Sequence, residues 1–145
     1  MNVLIDTNVI LDVLLDRQPF AEHATQIVWQ IESGEINGFL CATTLTTIDY
    51  FVSDALSKAT SKLHIQKLLK TFEIAPVTRS VLQSAADSKL KDFEDAVLVE
   101  AARTCGIQSI ITRNVKDFKG CGLLVLTPKE WLAGHPQTAT HPSNP

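Results

Sequence analysis

Four separated stretches of this 145-residue chain place an oxygen-bearing side chain beyond an apolar run or along a helical one. Asp6 closes the apolar run in NVLIDTNVIL, Asp49 sits in TTLTTIDYF, Asp95 in KDFEDAVLVEAA, and Asn114 and Asp117 follow the run in SIITRNVKDF. Most have an ordinary structural use. Asp6 can N-cap a helix expected from Val9. Asp95 can sit in the favourable first turn of a helix, with Asp92 as N-cap and Glu94 as a neighbour, and for those two the helix-end role is preferred. Asp117 can be a solvated loop residue. Asp49 resists such a use: it falls four residues after Leu45 and three before Val52, on or beside the apolar stripe, and no basic residue lies at i±3 or i±4. A buried carboxylate without a partner is costly.

Taken together, the four places could converge on one cleft, where their mutual repulsion would call for a hard divalent cation. Oxygen donors without Cys or His favour Mg²⁺ or Mn²⁺ over zinc. The chemistry suited to such a centre is phosphodiester hydrolysis: the metal lowers the pKa of a bound water, and a second ion, where present, stabilises the leaving 3′-oxygen. No covalent intermediate is needed.

The elements that must position these residues can be read from periodicity. Short apolar runs at 2–5, 38–42, 73–77, 109–112 and 124–126 are expected strands. Helical spacing is expected over 9–15, from Pro19 to about 33, from Thr43 or Thr44 past Val52, and over 61–71, 79–89, 93–105 and 128–132. Gly34 and Gly106 are natural helix stops. Strands alternating with helices imply an α/β/α sandwich around a mainly parallel sheet, whose carboxyl edge is where functional groups gather. Residues 1–133 are expected to form one domain, and GHPQTATHPSNP, 134–145, a flexible Pro/Thr/His-containing tail.

The formal net charge of −3 gives no basic field of the kind common in nucleic-acid binders. Metal at Asp6, Asp49, Asp95 and Asp117 would cancel four negative charges and leave +1, so RNA need not be repelled. Lys58, Lys62, Arg113, Lys116 and Lys119 are then candidate phosphate contacts, although for each taken alone a plain solvated charge is the preferred reading. Three well-separated cysteines and four histidines without zinc spacing suggest neither a disulfide framework nor a zinc site, and the histidines are expected on the surface or tail. No apolar run reaches membrane-spanning length, so a cytoplasmic protein is expected.

In order and spacing, LIDTNVILDVLL with RQPF, then TTLTTIDYF, KDFEDAVLVEAA, IITRNVKDF and VLTPKEWL resemble the PIN-domain nucleases, in particular single-domain members of the VapC toxin type, over about residues 2–132. The resemblance implies a three-layer fold with about five strands and an endoribonuclease dependent on Mg²⁺ or Mn²⁺. It makes Asp6 the central ligand and Asp95 the second, with Thr7, Asn8 and Thr112 in support. The family's second acid is usually Glu, and the position matched to it here is Asp49, which could reach metal through water. The usual fourth acid is replaced by Asn114, which leaves Asn114 or Asp117 to complete the shell. The resemblance further implies an RNA substrate, an antitoxin that blocks the site, and homodimers, whose face would be sought on the apolar first and third helices.

Two other readings bear on the same residues. A PIN-like domain could bind RNA or protein without cutting it. Haloacid-dehalogenase-like phosphatases also place Asp after their first strand, but they need a second Asp two residues on, where this chain has Asn8.

Overall fold

A computed structural model describes residues 1–136 of the chain; of the stretch expected as a tail, 137–145 lies outside the described residues. Five strands, β1 Asn2–Ile5, β2 Asn37–Cys41, β3 Glu73–Ala75, β4 Ser109–Ile111 and β5 Leu124–Leu126, form one sheet in the order β3-β2-β1-β4-β5. Every pairing is parallel. The helices are α1 Thr7–Leu14, α2 Ala21–Glu32, α3 Ala42–Ala55, α4 Lys58–Thr71, α5 Arg79–Ala86, α6 Phe93–Thr104 and α7 Pro128–Gly134, with a 3₁₀ turn at Val115–Phe118.

β1 shows why the sheet is covered on both sides. Val3, Leu4 and Ile5 have no exposed surface, as expected of a central parallel strand. Successive side chains point to opposite faces. Val3 and Ile5 join a core with Ile10, Ile27, Ile48, Leu68 and Trp131 from α1, α2, α3, α4 and α7. Leu4 joins a second core with Val81 and Ala85 of α5 and Leu98 and Ala102 of α6. The result is the expected three-layer sandwich.

Local capping moves several boundaries from their expected places. Asp6 caps a helix that begins at Thr7, two residues before Val9. α3 begins at Ala42 with Cys41 at its cap, so neither Thr43 nor Thr44 serves as expected. α4 begins three residues early because Ser57 Oγ accepts from the Thr60 amide at 3.0 Å. β3 stops at Ala75 because Pro76 has no N–H to offer the ladder. α1 is also unsuited to a dimer face: Val9, Ile10 and Leu11 are all in the core.

α7 is fastened by a buried polar clasp. Trp131 Nε1 donates to Gln30 Oε1 at 3.0 Å, and Gln30 Nε2 donates to the His135 carbonyl at 2.6 Å. The His135 ring stacks on Trp131 with centroids 3.8 Å apart. His135, expected on the surface or in the tail, is therefore part of the packing of α7 on α2.

Candidate active site

With all strands parallel, β1 and β4 end side by side, and the Asp6 amide continues their pairing by donating to the Ile111 carbonyl at 2.9 Å. The Asp6 carboxylate is buried beyond that edge and held at both oxygens. Oδ1 accepts from the Thr7 amide and Oδ2 from Thr112 Oγ1, each at 2.7 Å. Thr112 is itself fully buried, and its Oγ1 accepts from the Asn114 amide at 3.0 Å. The Thr7 hydroxyl meets Thr44 Oγ1 at 2.9 Å and so ties α1 to α3. Burial pushes the Asp6 carboxyl up, the bonds from Thr112 and Thr7 oppose it, and the charges of Glu94 and Asp117 push it further up.

Asp95 enters from the first turn of α6, where Asp92 Oδ1 accepts its amide at 2.9 Å. Asp92 is thus the N-cap, as expected. The Asp95 carboxyl is raised to about 7, first by burial and then by the negative charges of Asp6, Asp92, Asp117 and Glu94. Asp92, Asp95 and Asp117 line one cleft of about 460 Å³ whose other walls carry Lys89, Lys91, Lys116 and Lys119. Acids thus share the cleft with four lysines, two of which were among the expected phosphate contacts.

The donor set suits a hard divalent cation. Each Asp6 oxygen is used once and retains a second acceptor direction. Asn8 Oδ1, in the first turn of α1, is buried without a hydrogen-bond partner. Among the described residues no three His, Cys, Asp or Glu side chains stand close enough to enclose a metal on their own. An ion there would be held by one or two carboxylates and keep several waters, which is the habit of Mg²⁺.

Asp49 does not reach this place. It is exposed on α3, where its Oδ1 accepts from Ser61 Oγ at 2.7 Å and from Ser53 Oγ at 3.2 Å. It lines a groove between α3 and α4 together with Lys58 and Lys62, so those two lysines belong to that groove and line no part of the acid cleft. The expectation failed because the buried stripe of α3 is Thr44, Ile48 and Val52. Leu45 is only half-buried, and counting from it turned the helix by one position. The α3 residue directed at the acids is Thr47, whose hydroxyl lies 3.4 Å from Glu94 Oε1. Glu94 was expected only to support a helix end, yet its charge acts on both Asp6 and Asp95; its sequence signal was adjacency to Asp95.

Arg113 is already engaged. Its Nε and Nη2 donate to Asp12 at 2.7 and 3.2 Å, and its guanidinium carbon lies 4.1 Å from the centroid of the Phe20 ring. The expectation of a free phosphate contact is therefore corrected to an internal clamp. Asp12, fully buried in α1, was missed; the signal was an acid inside the apolar run VILDVLL. Asn114 lines a separate pocket beside Arg113, while Lys116 and Asp117 line the acid cleft.

A family model described as PIN domain matches residues 2–116. Ribonuclease VapC1 of Aquifex aeolicus (strain VF5) is 25% identical over 134 residues, covering 89% of this chain and 92% of the relative. The structure of FitAcB from Neisseria gonorrhoeae superposes with a TM-score of 0.67 at 21% identity, covering 88% of this chain and 98% of that one. A toxin-antitoxin complex from Klebsiella pneumoniae gives 0.66 at 22% identity, covering 87% and 97%.

Proposed function

The chain belongs to the PIN domain family, and from that premise we propose that it is an endoribonuclease dependent on Mg²⁺ or Mn²⁺, the toxin of a toxin-antitoxin pair. One observation carries the chemistry: Asp92, Asp95 and Asp117 line one cleft with Asp6 and Glu94 close enough to act on Asp95, and this crowding, after burial, raises the Asp95 carboxyl. Such a group is a deficit of positive charge that a divalent ion would fill.

Asp6 and Asp95 would hold the ion directly, with Asp117 acting through water and Asn8 as a supplementary oxygen donor, while Asn114 lines the neighbouring pocket. When bound, the ion supplies an activated water and neutralises the charge that develops on the phosphate. Thr112 keeps the Asp6 carboxylate in one orientation by donating to Oδ2. Asp92 fixes the first turn of α6 and thereby the position of Asp95. Lys89, Lys91, Lys116 and Lys119 line the cleft walls and can bind flanking phosphates of the RNA backbone.

An antitoxin partner is supported by the names of the relatives, and the outer surface of α3 and α4 suits a protein partner or a second copy. Tyr50 and Leu63 are 69% and 67% exposed there, and Phe51 lies in edge contact with Tyr50. Among the described residues no helix is long and apolar enough to cross a membrane, and the three cysteines are free. Both observations, together with an RNA substrate, support a cytoplasmic location.

A silent binding domain is the second reading, favoured by the absence of a three-acid cage among the described residues and by the displacement of Asp49. One experiment separates the two: purified protein incubated with mixed cellular RNA and Mg²⁺ or Mn²⁺, beside EDTA and a folded Asp6→Asn variant. Discrete cuts that vanish in both controls support the nuclease. No cuts from folded, inhibitor-free protein would support the silent domain.

A further inference from the structure

We propose that the pocket between Phe20 and Lys129 is a nucleobase subsite that takes an unpaired base next to the scissile phosphate. The assignment of the scissile phosphate rests on the nuclease reading above. The segment after β4 borders two concavities. Lys116 and Asp117 line the acid cleft, whereas Arg113 and Asn114 line a pocket of about 630 Å³. The two are joined by a short bonded path, because the Asn114 amide donates to Thr112 Oγ1 and Thr112 Oγ1 donates to Asp6. A chain of nucleotides crossing Asp6 would have this pocket beside it.

The lining has the chemistry of a base platform. The Phe20 ring is covered on one side by the Arg113 guanidinium and remains 41% exposed. Arg113 is fixed in turn by its two bonds to buried Asp12, so ring and guanidinium form a rigid surface. Bases stack on aromatic rings and on arginine planes, and RNA-specific proteins select unpaired bases that can be splayed out in this way. Asn114 offers an amide donor and acceptor for a base edge. His23 and Lys129 lie in the lining, and no acid does, although the whole chain carries a formal charge of −3. The neighbouring cleft holds three acids. A pocket with no acid in its lining and with a lysine beside an aromatic ring suits a polyanion with a stackable base.

The test uses the full chain and short fluorescein-labelled single-stranded oligoribonucleotides, each also made with one abasic residue walked along the strand. Affinity is read by anisotropy in EDTA, and cleavage separately in Mn²⁺. In wild-type protein one abasic position is expected to weaken binding about tenfold. Phe20→Ala should lose about as much on the intact strand and become indifferent to that position, while Phe20→Tyr should behave as wild type. Equal affinity and equal abasic dependence in folded Phe20→Ala would overturn the subsite. Should Phe20→Ala not fold, Lys129→Glu takes its place: weaker binding with a shallower salt dependence supports the proposal, and unchanged binding overturns it. Indifference of wild-type protein to every abasic position also overturns it and leaves the pocket to a protein partner. The two readings fail separately. Cleavage unaltered by Phe20→Ala keeps the nuclease and removes the subsite, whereas abasic-sensitive binding without any cleavage keeps the subsite and removes the nuclease.

Discussion

Asp12 and Asp95 are both pushed up by burial, but Asp12 lies against Arg113 at 2.7 Å, with Arg17 4.0 Å away, whereas Asp95 has Asp6, Asp92, Glu94 and Asp117 around it. The same short segment serves both. Arg113 reaches back to α1 and neutralises one acid, and four residues later Asp117 adds to the crowding of the other. A fold able to place an arginine against Asp12 leaves Asp95 among like charges. The paired acid joins two elements, whereas among the described residues the crowded ones form no ion pair with the lysines of their cleft and are left for a bound cation to neutralise.

The largest expected effect breaks the crowded side. Asp95→Asn and Asp6→Asn should each lower metal-dependent cleavage about a hundredfold or more, since each removes a charge the ion needs. Asp95→Asn should not lower the melting temperature in EDTA, because it removes repulsion from a half-buried group, whereas Asp6→Asn also gives up one of the two hydrogen bonds its carboxylate accepts and should lower it slightly. A cleavage rate unchanged by Asp95→Asn would sink the assignment of the site.

Breaking the paired side should act on stability. Arg113→Ala strands a fully buried Asp12 and should cost about 3 kcal/mol. In a domain of this size that lowers the melting temperature by roughly 10 °C. Adding Asp12→Ala to it should recover part of the loss, since the stranded charge is then gone. Strictly additive losses in circular-dichroism melts would show that the two side chains do not act as a pair.

These contrasts also mark how far the sequence could be read. The β1 run, the Asp6 cap, Asp92 at the start of α6 and Gly106 after its end were legible because each depends on neighbours within a few positions. The α/β/α order was legible for the same reason, as a succession of local periods. The place of Asp49 was not, because a helix wheel has no phase until the tertiary core chooses one, and the core chose Thr44, Ile48 and Val52. Pairs such as Asp12 with Arg113 and Trp131 with Gln30, each 101 positions apart, were equally invisible. Their partners meet only when β4 lies beside β1 and α7 packs on α2.

A smaller effect sharpens the crowded side through pH. Asp95 has a folded value of about 7 against an ordinary 3.8, so it holds its proton more tightly when folded. Its contribution to stability is fully present below the ordinary value and is lost as the pH rises through about 7. The raised Asp6 acts in the same direction. Because Asp95 is only half-buried, solvent screening reduces the effect to about 1 kcal/mol, or roughly 3–5 °C between about pH 5 and pH 8. In EDTA the melting temperature should fall over that range, Asp95→Asn should fall less, and Mn²⁺ should restore wild-type protein at the alkaline end. A flat metal-free profile would mean that Asp95 is not crowded in solution.

The smallest effect belongs to a third acid, Asp49, which is neither paired with an arginine nor crowded by carboxylates. Its Oδ1 takes the hydroxyls of Ser53 and Ser61, and Ser61 is fully buried at the start of α4. Asp49→Asn keeps an acceptor oxygen for Ser61 and should change neither cleavage nor melting temperature measurably. Asp49→Ala strands the Ser61 hydroxyl and should cost about 1 kcal/mol while cleavage stays at the wild-type rate. The two substitutions together separate a carboxylate that fastens α3 to α4 from one that serves a metal. A Mn²⁺-dependent loss of cleavage in Asp49→Asn, with unchanged melting, would return Asp49 to the catalytic set and require α3 to turn toward the acid cleft when the ion binds.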